Sequence, residues 1–397
     1  MMRHPWKSVT AAAALLLVAA APAPAKGEWT PAWSASMWEA TNARQEVAVD
    51  NATLSFAIRV GAEGDRIRLR LSNEYGEPLT IGAVSVRRPG GKAVPVSFGG
   101  QTSTRAPAGA TLVSDAAELQ VGAFDLIEIS VYLPGAVKLN TVHGAGGAKT
   151  RISAPGNFAG EPFVAVRTAD TRPLLAGVEV LGKAPRPVIV AFGDSITDNP
   201  GCANDAVPIC RWGDVLGRRL AQEGKPHVVV TQAISGNRVI SRGAGPSAVE
   251  RFERDVLDLP GVTHVVILEG VNDIGSSGQR RPDGTTAPTL SHEQLIEGYR
   301  TLIAGAHRRG IKAVGMTILP FEGANYHTEA GEAMRMRVND WIRTSGAFDA
   351  VIDMEKFVAD AANPKRLDPA LQRGDNLHPD GRGQTRIGEA IPLDIFE

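Results

Sequence analysis

The apolar positions along this chain change their period once. From about Glu46 to Leu181 they alternate with polar ones in short runs: Leu54–Val60, Ile67–Leu71, Thr80–Val86, Phe124–Leu133 and Phe163–Arg167. Gly, Pro and Asn fill the gaps, as in Asn73-Glu-Tyr-Gly76 and Pro89-Gly-Gly91. A period of two with turn residues at this spacing predicts an antiparallel β-sandwich, and no stretch here reads as a helix. After Val188 the runs are continuously apolar, as strands buried on both faces require. These strand candidates are Val188–Phe192, His227–Thr231, Thr263–Leu268, Lys312–Leu319 and Ala350–Met354. Between them the spacing becomes helical over Arg211–Glu223, Ser247–Leu257, Ser291–Arg309 and Ala330–Thr344, with a last helix near Gln384–Ile391. Ser291 with Gln294 three residues on is a helix start of the capping-box type. Strand–helix alternation predicts a parallel sheet covered on both faces.

The two grammars meet at Lys183-Ala-Pro-Arg-Pro187, a stiff linker. The chain therefore divides into a β-sandwich over 26–182, a linker over 183–187 and an α/β domain over 188–397. Residues 1–25 read differently. A basic start (Arg3, His4, Lys7), an apolar core (Thr10–Ala21) and the small residues Ala23-Pro-Ala25 form a secretory signal peptide cut after Ala25. The apolar run is too short to span a bilayer, and no other segment is long enough. Export implies a secreted or periplasmic protein, so the only cysteines, Cys202 and Cys210, are expected to form a disulfide. A two-thiol metal site is the weaker reading, since no His flanks the pair at ligand spacing.

Composition narrows the function. With 43% hydrophobic and 21% charged residues and a formal net charge of -1, the chain has the balance of a globular protein. It carries no electrostatic footprint for nucleic acid or an anionic membrane.

Candidate chemistry lies just past the strand ends, where open α/β sheets gather it. Ser195 follows the first strand at Gly193-Asp-Ser. By position alone it reads as a helix cap. Gly236 follows the second strand, with Asn237. Its backbone N–H can approach a ligand, or the glycine serves only a positive φ. Asn272 follows the third strand, as a turn residue or as a donor aimed into the cleft, and Asp273 beside it reads as structural. Asp375 and His378, just before the last helix, are spaced to put a base and its orienting carboxylate on one side of a turn. His327, near Glu322, is the rival base. His292 and His307 read as solvated, His227 and His264 as structural, and His143 falls in the β-sandwich. Together Ser195, His378, Asp375, Gly236 and Asn272 supply a nucleophile, a base with its partner, and donors for an oxyanion, which is what acyl transfer needs.

Gly193-Asp-Ser-Ile, Gly236-Asn237, Gly270-Val-Asn-Asp273 and Asp375-x-x-His378 resemble, in order, the four blocks of the SGNH (GDSL-type) hydrolases. The β-rich half, through Arg68–Asn73 and Pro78–Gly82, is similar to the accessory domain of secreted bacterial xylan-esterase-like members. The resemblance implies a flavodoxin-like three-layer α/β/α fold and no metal or organic cofactor. It implies Ser195 as nucleophile, His378 as base and Asp375 as its partner. The oxyanion hole would comprise the N–H groups of Ser195 and Gly236 and the side chain of Asn272. The expectation is a secreted serine esterase releasing short acyl groups from an acylated carbohydrate or another small ester. Alternatives are a broad esterase, lipase or arylesterase, a peptidase or thioesterase, and a non-catalytic carbohydrate-binding protein. Trp29, Trp33 and Trp38 either stack on sugars or pack the start of the sandwich.

Overall fold

A computed structural model describes residues 29–144, 148–198, 210–280 and 284–397. The signal-peptide segment and Cys202, hence the expected Cys202–Cys210 bridge, lie outside the described residues. Up to Leu181 the chain is antiparallel β, with no helix among the described residues. Its larger sheets have the strand orders Thr30–Ser34, Leu175–Leu181, Arg66–Asn73, Ala110–Val113 and Arg167–Ala169, Thr150–Pro155, Ala52–Arg59, Leu126–Leu133, Ala83–Arg87, Val94–Val96. Alternation does what it predicts: Ile67, Leu69 and Leu71 of one sheet and Ile127, Ile129, Val131 and Leu133 of the other are buried in a common core. On the other face of the first sheet Arg68 and Arg70 converge on Glu179, whose carboxylate is 1% exposed, and Trp29 lies 4.5 Å over the Arg68 guanidinium.

Two readings of this half are corrected. Thr80–Val86 is not one strand. Gly82 divides it into Leu79–Ile81, paired with Thr104–Ala106, and Ala83–Arg87, paired with Leu126–Leu133. A Cβ at Gly82 would come within 2.7 Å of the Tyr132 ring, so the crossing point has room only for glycine. Nor is Phe163–Val166 a strand: Val164 and Val166 are 87% and 65% exposed, and pairing begins at Arg167. The alternation there has no core to face.

Beyond Val188 five parallel strands form one sheet in the order Val228–Ala233, Val188–Gly193, Val262–Leu268, Lys312–Met316, Ala350–Ile352. Helices Trp212–Gln222, His292–Arg308, Glu329–Thr344 and Gly381–Ala390 cover it, giving the three-layer α/β/α architecture. Ser291 caps its helix by accepting from Gln294 N–H, as the capping box requires. The predicted helix over Ser247–Leu257 is α only to Phe252. Glu253–Leu257 is a wider π turn. The strand from Lys312 stops at Met316, three residues early, and Thr317–Leu319 continue as buried loop.

The sandwich packs directly on the parallel sheet. Ser34 Oγ donates to Thr231 O on the edge strand (3.3 Å), and Ser36 Oγ donates to Gln232 Oε1 (2.8 Å). Between the two halves sits Arg251, its side chain fully buried. Its Nε donates to Asn237 Oδ1 (2.8 Å) and its Nη2 to Gly193 O (2.9 Å). Its Nη1 reaches Gln232 O, Ser36 Oγ and the Asp255 carboxylate at 3.0–3.1 Å. The guanidinium lies 4.0 Å over the Phe192 ring. One cation therefore holds the end of the strand Val188–Gly193, the loop after the strand Val228–Ala233 and the sandwich. Replacing it leaves the buried Asp255 with Arg254 alone of its two arginines and takes the donor from Gly193 O, Gln232 O and Asn237 Oδ1. We expect Arg251→Met to destabilise the protein by about 3–5 kcal/mol, the scale for breaking a buried pair, read from the urea unfolding midpoint. A loss within the range of ordinary surface substitutions would show that the hub is dispensable.

Candidate active site

The strand Val188–Gly193 is buried throughout and ends against its neighbours, with Gly193 opposite Ala233 and Leu268. A Cβ at Gly193 would meet Leu268 O at 2.3 Å and Thr197 Oγ1 at 2.4 Å, so the chain can turn here only as glycine. A short helix, Ser195–Asp198, follows. Asp194, not Ser195, serves its start: Asp194 Oδ1 accepts from Ile196 N–H (2.8 Å), and Asp194 O accepts from Thr197 and Asp198 N–H. The capping role that position alone gave to Ser195 is filled by its neighbour. The Ser195 hydroxyl turns instead to His378, with Oγ 2.8 Å from Nε2.

His378 is held from the other side. Asp375 Oδ2 lies 2.7 Å from His378 Nδ1, while Asp375 Oδ1 accepts from the N–H groups of His378 (2.8 Å) and Leu377 (3.0 Å). Asn376 takes the left-handed conformation (φ 58) that closes this turn, which asparagine tolerates. Burial alone would raise the Asp375 carboxyl. The bonds from His378 and Leu377 outweigh it and hold the group below its usual range. A carboxylate on Nδ1 fixes that nitrogen as the donor, leaving the Nε2 lone pair for the serine proton.

Gly236 adopts a left-handed φ of 81 and leads into Asn237. Asn237 is structural: its amide donates to Ala244 O and Pro246 O, and its oxygen accepts from Arg251. Asn272 lies on the helix Val271–Ser276, entered through Gly270 at φ 108. Its Nδ2 donates to Asn237 O (3.0 Å) and more loosely to Asp194 Oδ2 (3.4 Å), while its Oδ1 accepts from Tyr326 O–H (3.3 Å). Tyr326 thus orients the amide with its N–H groups toward Asn237 O and Asp194. One of them is spent on backbone and the other is only weakly held. Asp273 accepts from the N–H groups of Val239 and Ile240 (2.8 and 3.3 Å), so it braces the Gly236 loop rather than its own turn.

The rival base does not reach the serine. The His327 ring packs edge-on to Phe321 (5.3 Å), and Glu322 bonds Asn363. His227 and His264 pack with Phe396, His307 pairs with Asp349 at the surface, and His292 lies beside Glu293. The tryptophans pack: Arg172 stacks on Trp33 (5.1 Å), and Trp38 lies against Gly245. No group of His, Cys, Asp and Glu among the described residues is placed to hold a metal ion.

Three supporting residues were missed from sequence. Tyr326 sits past a strand end, a usable signal, but its contact depends on Gly275, where a Cβ would strike its ring. Gln384, fully buried, accepts from Trp212 N–H and donates to Ile196 O (both 2.8 Å), tying the helix after His378 to the helix of Ser195. His143 of the sandwich places Nε2 3.2 Å from Asp198 Oδ1 and Nδ1 2.9 Å from Ser36 O. Nothing local in the sequence marks that contact.

Beneath the site lie three buried carboxyls, Asp194, Glu269 and Asp273, the first two facing Arg251 and the third Arg238. Burial pushes Asp194 up to about 7 and Asp273 to about 6, and Glu269 is driven well above its usual value by burial and then by the Asp194 charge. The folded chain therefore holds protons that the unfolded chain releases. Stability from Asp194 and Asp273 is complete below their ordinary value of 3.8 and is lost as pH rises through about 6 and about 7. The melting temperature should fall between about pH 5 and about pH 8, as calorimetry would show. A rise over that interval would mean that these groups are ionised in the fold.

Residues 191–386 match the GDSL-like Lipase/Acylhydrolase family. Comparison with curated proteins found no significant match. Among solved structures, a putative acylhydrolase from Bacteroides fragilis is 20% identical over 53% of this chain and 89% of its own, with a TM-score of 0.38. An acetyl xylan esterase is 21% identical over 51% and 96%, with a TM-score of 0.40. A catalytic mutant of an acetylxylan esterase from Geobacillus stearothermophilus is 22% identical over 53% and 94%, also with a TM-score of 0.40. Residues 191–386 thus form a GDSL-like lipase/acylhydrolase domain, and the protein is a carboxylic ester hydrolase.

Proposed function

We propose that the protein removes short acyl groups, acetyl first, from an acylated carbohydrate, through an acyl-enzyme on Ser195. The observation that carries the mechanism is the unbroken line Ser195 Oγ–His378 Nε2–His378 Nδ1–Asp375, at 2.8 and 2.7 Å. Ser195 Oγ attacks the ester carbonyl carbon as its proton passes to His378 Nε2. The carbonyl oxygen becomes an oxyanion facing the N–H groups of Ser195 and Gly236 and the Asn272 amide. Ser195 opens its helix, so its N–H has no acceptor within that helix. The tetrahedral centre collapses, the C–O bond to the alcohol breaks, and the alcohol leaves with the proton from His378. Water then attacks the acyl-enzyme, giving a proton to His378. The acid departs and Ser195 recovers its proton.

The carbohydrate reading is supported by the sandwich half, similar to accessory domains of exported esterases, and by the signal-peptide pattern. Export and a Cys202–Cys210 bridge belong to the same proposal. A lipid or aryl ester substrate is the second reading.

Ser195→Ala should abolish turnover while leaving the unfolding midpoint near that of the parent, and near-parental activity would overturn the mechanism. Asn272→Ala should lower kcat by roughly 10²–10³ if its amide meets the oxyanion. An unchanged kcat would return Asn272 to the ordinary turn residues. For the substrate, acetate release across a panel of acetylated polysaccharides should exceed release of long-chain acids from lipid esters, and the reverse order would favour the second reading. The mature exported chain should begin at Lys26 on N-terminal sequencing.

A further inference from the structure

Beside the helix that carries Asn272 runs a groove of about 250 Å³. Arg238, Ser241, Ser276, Ser277, Thr289 and Ile240 line it, with Asp273 at its inner wall. Two of its walls are catalytic-loop segments: Arg238 follows Gly236-Asn237, and Asp273 follows Asn272. The groove is therefore next to the proposed oxyanion hole and is built by the same two loops.

Its chemistry is set by Arg238. The Arg238 Nε is buried without a hydrogen-bond partner, and no ion pair of this guanidinium is found among the described residues. The other arginines that pack on these loops are engaged. Arg251 has five acceptors, Arg254 pairs with Asp255 and Glu74, and Arg242 at the rim pairs with Glu250 (2.9 Å). Asp273 attracts the Arg238 charge but spends both carboxylate oxygens on the Val239 and Ile240 N–H groups, so it gives Arg238 no hydrogen bond. Arg238 is half-exposed, but its buried Nε–H has no acceptor, an unpaired donor that an anion entering the hydroxyl-lined groove would satisfy. Arg also presents a planar fork that suits a carboxylate.

We propose that this groove is a subsite for a carboxylate carried on the alcohol portion of the ester, with Arg238 as its anchor. This deepens the ester-hydrolase reading and rests on it. For a carbohydrate substrate the matching group is an acidic sugar unit close to the acylated one. The hydroxyls of Ser241 and Ser277 add donors to the same anion, since Ser277 Oγ accepts from Leu290 N–H and keeps its proton, whereas Ser276 Oγ donates to Asp273 O. Arg238 is a specificity residue here and takes no part in bond making.

The first test is a matched pair of acetyl esters, 4-acetoxybenzoate and its methyl ester, which differ by one negative charge. The parent enzyme should favour the acid through KM. Arg238→Gln should cut the acid-to-methyl-ester ratio of kcat/KM by roughly tenfold, the scale of one hydrogen bond to a charged group. Arg238→Lys should retain part of the preference, and added salt should weaken it in the parent. A ratio that is the same in parent and Arg238→Gln, including an equal loss on both esters, would overturn the subsite and make Arg238 structural. The second test does not need turnover. Ser195→Ala protein titrated with D-glucuronate and D-glucose should bind the acid preferentially, and the additional change Arg238→Gln should abolish that preference. If glucuronate binds by Arg238 but neither ester is hydrolysed by the parent, the esterase reading fails and the subsite stands. If esters are hydrolysed but glucuronate does not bind, the subsite fails and the esterase reading stands.

Discussion

The structure depends first on the burial of one charge. Arg251 has no solvent to fall back on, so every nitrogen must find an acceptor inside the protein. The acceptors it finds belong to segments far apart in the chain: Ser36, Gly193, Gln232, Asn237 and Asp255. Each is a backbone carbonyl or a side chain at the edge of the catalytic apparatus. Satisfying the arginine and placing the catalytic loops are therefore the same requirement. A shift of the Gly193 turn or of the Asn237 loop costs the arginine a bond. Electrostatics here acts as a geometric lock more than as a source of net stability, since a buried ion pair often does no better than a hydrophobic replacement.

That lock also sets the protonation of the floor beneath the site. Asp194 and Glu269 lie near Arg251, and its ion-pair partner, Asp255, is a third carboxyl. Arg251 is itself disfavoured as a cation by its burial. The fold resolves the imbalance by keeping protons on Glu269 and partly on Asp194. The upward shift of Asp194 bears on the chemistry, because its Oδ2 lies 3.4 Å from the same Asn272 amide that is proposed to meet the oxyanion. A full negative charge there would compete for the amide and oppose the developing charge. Burial of Asp194 thus reduces a conflict that its position next to the nucleophile would otherwise create.

What could be read from the sequence was whatever is local. Parallel strands buried on both faces announce themselves as apolar runs, and all five appeared with their ends misplaced by no more than three residues. Asp375 and His378 could be paired because one turn joins them. Gly236 and Asn272 could be placed because strand ends in such a sheet converge on one edge. What escaped is long-range or set by sterics. Gly82 breaks an alternation that looked continuous, because Tyr132 arrives from another strand. Val164 and Val166 alternate with no core behind them. The cap at the nucleophile helix fell to Asp194, since Ser195 was drawn to a histidine 183 residues away. Tyr326, Gln384 and Arg251 hold the site through contacts that no spacing rule reaches.

The same distinction changes the standing of the sandwich. Read from sequence it is an accessory unit behind a proline linker, and His143 is one of its incidental residues. In the fold, His143 offers one ring nitrogen to a carbonyl, Ser36 O, and the other to a carboxylate, Asp198. Both ring nitrogens of His143 are thus engaged, one by the sandwich and the other by the α/β half. Asp198 is charged: burial alone would neutralise it, but the facing His143, with Arg211 and Arg172, holds its pKa below the usual carboxylate range. Asp198 ends the helix that Ser195 begins. Ser36 meanwhile serves both His143, through its carbonyl, and Arg251, through its hydroxyl. A single residue of the sandwich is thus shared between the two charged clusters that fix the nucleophile turn from opposite sides. The β half is part of what holds Ser195, the proposed nucleophile, in place, whatever else its surface binds.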